Sequence, residues 1–306
     1  MTDLRADFPA LIGGGGSLLA FLAANKPAVD AALSDAGALL FRGFDVPDPY
    51  AFDAAVEAYG DPGFTYEDSL SNAVRTNVTP RVFTANEAPP TTQIFLHHEM
   101  AQTPIYPAKL FFYCEIAPER GGATPLCRSD RVVERLKRET PSFLTRLETE
   151  GVCYTNVMPG DDDAGSGQGR SWRSTLSAAT RTAAEARLTE LGYTWEWRAD
   201  DSLQATTPVL PAVRPLDGGR RSFFNQLIAA FRGWSDSRND PNRAITFGTG
   251  TPITGEDMAP AIAIADELTV DCVWQTGDVA LIDNFSVMHG RRPYKGKRRV
   301  LASLVA

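Results

Sequence analysis

The chain holds three histidines, and each stands beside other polar residues. His97 and His98 lead into Glu99, and His289 follows 190 residues after that glutamate, beyond the segment GDVALIDNFSVM. His97-His98-Glu99 continues an apolar stretch that reads as a strand. Residues i and i+2 of a strand share a face, so His97 and Glu99 can converge on one point while His98 turns the other way. A second strand read from Asp278 to Asp283 ends in a short connection to His289. Two imidazoles and one carboxylate on adjacent strands occupy one face of a metal ion and leave its other positions open. An HxE triplet also arises as a surface accident, so the spacing alone does not decide. Other chemistries find less support. Gly13 to Gly16 fails GxGxxG because Leu18 stands at the last position, no lysine follows for a phosphate loop, and no GxSxG elbow exists for a serine nucleophile.

The C-terminal run RRPYKGKRRVLASLV supplies a further candidate. Read as a strand, it puts Arg299, Leu301 and Ser303 on one face and Arg298, Val300 and Ala302 on the other, so one arginine points inward. A buried guanidinium requires an anion, and a dicarboxylate matches its fork geometry. An exposed basic edge accounts for Lys295, Lys297 and the other arginine.

These residues must be held by a folded scaffold. Hydrophobic residues make up 43% of the 306-residue chain and charged residues 22%, the balance of a globular protein. The net charge of −8 excludes a broad basic surface, so no nucleic-acid and no membrane partner is expected. The opening MTDLRADFPALIGGGG has no basic start leading into a long apolar stretch, which predicts no signal peptide and a cytoplasmic location. Four well-separated cysteines are expected to be buried thiols. Helices are predicted from Ser17 to Ala24, Asp48 to Tyr59, 131–150 and 176–191. Strands are predicted at Gly37 to Phe44, Gln93 to His97, Lys109 to Ile116, Tyr193 to Arg198, Ser222 to Asn225 and Val270 to Trp274, with Asp278 to Asp283 and Arg298 to Leu304 closing the chain. Pro159 to Arg170 has almost no apolar content and reads as a mobile surface loop suited to a lid. No linker or repeat divides the chain, so residues 1–306 are expected to form one domain with an insertion or lid region at about 155–250.

Taken together the motifs resemble a family, the 2-oxoglutarate-dependent non-haem iron oxygenases of the taurine dioxygenase (TauD/TfdA) branch, close to its SyrP-like members of natural-product biosynthesis. The fragments are GALLFRGF, FLHHEM at 95–100, FFYCEIAPERGGATPL at 111–126, FFNQ at 223–226, FGTGTPI at 247–253 and GDVALIDNFSVMHGRRPYKGKRRVLASL at 277–304. The resemblance implies an α+β fold built on a double-stranded β-helix, the jelly-roll or cupin-like core, with flanking helices and a lid insertion. It implies His97, Glu99 and His289 as Fe(II) ligands, 2-oxoglutarate as cosubstrate with its far carboxylate on Thr124 and Arg299, and O2 as the oxidant. Where relatives carry a second arginine four residues on, this chain has Ser303. His98, Asn225 and Arg298 are candidates for contact with substrate. The expected activity is hydroxylation of an unactivated carbon of an amino acid or an amino-acid-derived molecule, free or carrier-tethered. Desaturation, epimerisation and cyclisation use the same ligands; halogenating members lack the metal carboxylate that Glu99 provides. A zinc-dependent hydrolase with the same triad and a cupin-like binding protein without turnover are the competing readings, and neither needs an inward arginine opposite the metal.

Overall fold

A computed structural model describes residues 8–65, 70, 75–85, 88–163, 169–234 and 236–306. Two sheets face each other. The larger runs, in hydrogen-bonded order, Ala10–Gly13, Ala38–Arg42, Val279–Asp283, Lys109–Ile116, Arg299–Val305 and Gly63–Phe64, with Phe83–Thr84 also joined to Arg299–Val305. The smaller runs Val270–Cys272, Thr124–Arg128, Val287–Arg291 and Ile94–His97. Ala10–Gly13 lies parallel to Ala38–Arg42, and the other pairings are antiparallel.

The alternation of strands sorts the core into two layers. Leu39, Phe41, Phe111, Tyr113, Leu281 and Leu301 pack outward beneath the helices Leu18–Ala36 and Pro49–Tyr59. Their neighbours Leu40, Leu110, Phe112, Ala280, Val300 and Ala302 face inward, toward Leu126 and Val287 of the smaller sheet. With both faces covered, the strands read as continuous apolar runs, as KLFFYC and VALI do. The result is a mixed α/β sandwich, and hydrogen bonding among the described residues does not close it into a barrel.

The N-terminal helix extends twelve residues past Ala24, to Ala36. It starts at Ser17, whose side chain accepts from Ala20 N, and ends at Gly37, whose φ of 81° is the left-handed geometry that suits a glycine cap. It persists through Pro27 because Leu22, Val29 and Leu33 keep its buried face against the sheet. The single helix expected over 131–150 is two, Ser129–Glu139 and Pro141–Glu150, since the residue before a proline is driven out of the α region. The structure adds a helix at Gly255–Leu268, opened by a Thr254/Asp257 capping box.

Between residues 152 and 247 the chain builds a third sheet, ordered Thr194–Trp197, Leu203–Thr206, Val152–Met158 and Ile245–Phe247. The helices Trp172–Thr175 and Arg181–Glu190 pack against it through Trp172, Leu188, Met158 and Leu203. Of the loop Pro159 to Arg170, residues 164–168 lie outside the described residues. Its described ends are tied together, Asp163 N donating to Gly169 O at 2.7 Å and Trp172 N to Pro159 O at 3.0 Å. No helix among the described residues is long and apolar enough to cross a membrane.

Candidate active site

The strand Ile94–His97 pairs with Val287–Arg291 in a register that sets His97 directly opposite His289, ring centroids 4.4 Å apart. Gly290 permits this approach, because a Cβ there would stand 2.4 Å from the Ile94 carbonyl oxygen. Contrary to the strand reading of His97-His98-Glu99, the strand ends at His97 and a turn presents Glu99. Met100 follows with φ 60°, a left-handed backbone that a non-glycine residue seldom adopts. The turn still converges on the same point. One ligand atom from each of His97, Glu99 and His289 lies within 4.8 Å of the others, a group that could hold a metal ion. Glu99 Oε2 stands 3.7 Å from His97 Nε2 and 3.4 Å from His289 Nε2.

The donor chemistry fits a divalent transition metal. His97 Nδ1 lies 2.8 Å from Phe95 O, which fixes the protonated nitrogen on the outside and leaves Nε2 facing inward with its lone pair. Burial, with His97 alongside, pushes the His289 imidazole down to about 4, so it stays neutral. Burial opposes charge on Glu99, yet His289 and His97 beside it hold the carboxyl well below the usual carboxylate range. His289 as a neutral imidazole and Glu99 as a carboxylate are in their metal-binding protonation states.

A cavity with ≈ 570 Å³ of space between atoms, open to solvent, adjoins the triad. Thr124, Phe112, Arg75, Arg291 and Arg298 line it together with the three ligands. Arg298 donates from Nε to Gly122 O at 3.0 Å and pairs with no carboxylate among the described residues. Burial, with Arg291 nearby, pushes its guanidinium down to about 10. The inward arginine is therefore Arg298, and the expectation of Arg299 is corrected. Arg299 keeps 43% of its side chain exposed and pairs with Glu115 on the far side of the strand. The alternation holds, but Val300 and Ala302 line the cavity with Arg298 while Leu301 turns under the helices. Between Arg299 and Val300 the register against Lys109–Ile116 shifts by one residue, with Arg299 opposite Ile116 and Val300 opposite Cys114.

The family model for the taurine catabolism dioxygenase TauD, TfdA family matches residues 4–304. The chain belongs to that family. It is accordingly an Fe(II)- and 2-oxoglutarate-dependent dioxygenase. A clavaminate synthase-like protein of Arabidopsis thaliana is 44% identical over 281 residues, 92% of this chain and 84% of the relative. The dapdiamide synthesis protein DdaC of Enterobacter agglomerans is 29% identical over 293 residues, 90% of this chain and 84% of that protein. An asparagine oxygenase solved with Fe(II), a hydroxyasparagine and succinate has a TM-score of 0.55 at 15% identity, covering 94% of this chain and 78% of its own.

Two other expected contacts fall away from the cavity of this TauD-family chain. His98 is fully buried, its Nδ1 against Asn284 O and its Nε2 2.6 Å from Ser129 Oγ, with Phe224 on its ring face. Burial pushes its pKa down to about 3, and its bonds to Asn284 O and Ser129 Oγ hold it inside the protein, away from the cavity. Asn225 donates from Nδ2 to Ala212 O at 3.0 Å and accepts from Leu227 N at 3.0 Å, which spends the amide on the start of the helix Leu227–Gly233.

Asn284 is the positioning residue that the sequence motifs contain but do not single out. Its Oδ1 accepts from Glu99 N at 2.7 Å, and its Nδ2 donates to Glu99 O at 3.1 Å and to Pro107 O at 2.8 Å. One buried amide thus grips both peptide groups of the residue that offers the carboxylate. Partners of this kind outside the ligand shell are typically worth ~10- to 100-fold in metal affinity. Asn284→Ala is expected to weaken Mn(II) binding by roughly tenfold or more, and Asn284→Asp by at least as much, because its second carboxylate oxygen would face the Glu99 and Pro107 carbonyls with no hydrogen to donate. Competition against a chelating dye checks both, and equal affinity in Asn284→Ala and the parent would show that the turn holds itself.

Proposed function

We propose that the chain hydroxylates an unactivated carbon of an amino acid or amino-acid-derived substrate, free or carrier-tethered. The observation that carries the reading is Arg298, a half-buried guanidinium without a carboxylate partner among the described residues, in the same cavity as the His97, Glu99 and His289 side chains. A relative named for dapdiamide synthesis and a structural neighbour solved with hydroxyasparagine support the substrate class. We read the two facing sheets as the double-stranded β-helix, residues 1–306 as one catalytic domain, and the third sheet with its helices as the insertion that walls the substrate.

With Fe(II) bound, the cofactor set supplies one reaction: 2-oxoglutarate, O2 and R–H become succinate, CO2 and R–OH. The protein positions and encloses. His97 Nε2, His289 Nε2 and a Glu99 oxygen would hold the metal, and Arg298 would take the far carboxylate of the cosubstrate with its two-pronged fork. Thr124 acts beside it. Trp274 Nε1 donates to Thr124 Oγ1 at 3.0 Å, and a hydroxyl that accepts from the indole keeps its own hydrogen for an anion in the cavity.

Losing a hydroxyl bonded to a charged group costs about 1.5 to 3 kcal/mol. Thr124→Val is expected to weaken 2-oxoglutarate binding by about ten- to a hundredfold. Trp274→Phe weakens it less, and the double variant is no worse than Thr124→Val alone, because the indole acts through the hydroxyl. Additive losses in calorimetric titration would separate the two residues. For the whole reading, anaerobic addition of Fe(II) and 2-oxoglutarate gives a weak visible charge-transfer band, and a succinate-release screen over free and carrier-bound amino acids finds the substrate. Ester or amide hydrolysis with zinc, in the absence of that band, overturns it.

A further inference from the structure

A second cavity lies in the insertion, with ≈ 570 Å³ of space between atoms including its opening. Its walls are the sheet face carrying Tyr154, Met158 and Ala205, and the helical residues Thr175, Leu176 and Leu188. None of the described side chains that line it is charged. It nevertheless has polar atoms with nothing to bind. Thr175 Oγ1 and Gln102 Oε1 both belong to lining residues, are buried, and have no hydrogen-bond partner among the described residues. Thr175 itself is 4% exposed. A buried hydroxyl or amide oxygen without a partner costs about 1 to 3 kcal/mol, which a bound donor and acceptor would relieve.

The cavity is built partly on the turn that carries Glu99. Gln102 is three residues from Glu99, and the chain between them doubles back, with Ala101 N donating to His98 O and Thr103 N to Met100 O. Three residues span at most about 11 Å between Cα atoms. A second link runs through Gln226, whose Nε2 donates to His98 O at 3.1 Å and whose N–H donates to the hydroxyl of Tyr154 in the cavity wall, also at 3.1 Å. One wall of the cavity is thus built onto the turn that carries Glu99.

We propose that this cavity receives the uncharged, largely apolar body of the substrate, held through an amide-like group by Thr175 Oγ1 and Gln102 Oε1. The proposal rests on the oxygenase reading and narrows its substrate class. A free amino acid with a charged or short side chain has no partner here, because an ion moved into such a site loses its hydration without compensation. An amino-acid derivative with an aliphatic body and a neutral amide fits.

The test titrates the full-length protein, loaded with Mn(II), with hexanamide, hexanoate and hexylamine, followed by ligand-observed NMR. Hexanamide is expected to bind saturably, and the two charged analogues at least about tenfold more weakly. Mn(II) broadens the bound amide's protons, most strongly at one end of the chain. Ala205→Phe, which fills the cavity from the sheet side, abolishes the binding. Thr175→Val is nearly isosteric and weakens it severalfold, and Thr175→Ser restores it, so the test survives a misfolded Ala205→Phe. Equal binding of hexanoate, no binding of hexanamide, or no effect of Thr175→Val overturns the proposal. Saturable amide binding with no Mn(II) bound at the triad would instead indict the metal-centre reading and leave the cavity standing.

Discussion

Arg298→Ala is expected to weaken 2-oxoglutarate binding by roughly thirtyfold or more, and Arg299→Ala to leave it nearly unchanged. Removing one partner of a desolvated charge pair typically costs ~2 to 5 kcal/mol, and the lower bound already corresponds to about thirtyfold. Arg298 meets the conditions for that cost. Its guanidinium is held inside the cavity by Gly122 O, burial has pushed it down to about 10, and no described carboxylate neutralises it. Arg299 meets none of them, since it faces solvent with Glu115 beside it, and an exposed pair is worth about 0 to 1 kcal/mol. Arg298→Lys keeps the charge but not the fork, and falls between the two. Calorimetric titration of 2-oxoglutarate into Mn(II)-loaded protein under anaerobic conditions measures all three. A large loss for Arg299→Ala with none for Arg298→Ala would reverse the assignment made from the cavity.

The choice between these arginines shows where the amino-acid sequence stops informing. Period-two alternation correctly separates Arg298, Val300 and Ala302 from Arg299 and Leu301. It cannot say which set faces the cavity, because two helices cover the other face and both sets continue into buried residues. The metal ligands are legible for a different reason: with three histidines in the chain, an adjacent pair leading into a glutamate and a third after a strand leave few combinations. Even there the backbone differs from the reading. Glu99 is brought round by a turn with a left-handed Met100, a geometry for which the sequence carries no glycine signal. Asn284 and Trp274 act only through contacts 185 and 150 residues away, so nothing local marks them. Arg75 and Arg291, which also line the cavity, come from stretches without a periodic pattern of their own. The helix Gly255–Leu268 went unread, although its Thr254/Asp257 capping box is a local signal.

Replacing any one of His97, Glu99 and His289 by Ala is expected to abolish metal-dependent stabilisation while the protein still folds. In the parent, Mn(II) binds only the native arrangement, so a concentration a hundredfold above its Kd adds about 2.7 kcal/mol to the unfolding free energy. Three ligands on one face are the minimum that His97 and Glu99 from one turn and His289 from a facing strand provide, and two leave a site that water competes for. The three variants differ without metal. Glu99→Ala removes a buried carboxylate whose desolvation opposes folding, but it also strips His289 Nε2 of its acceptor, so its metal-free midpoint stays close to that of the parent. His289→Ala leaves Glu99 charged and buried with one imidazole fewer. Its metal-free form is expected to lose stability by about 1.5 to 3 kcal/mol, the usual worth of a hydrogen bond to a charged group. Thermal melts with and without Mn(II) give both quantities at once. A metal-dependent rise retained by Glu99→Ala would place the ion on other donors, and a metal-free His289→Ala as stable as the parent would show that Glu99 does not depend on His289 to remain charged.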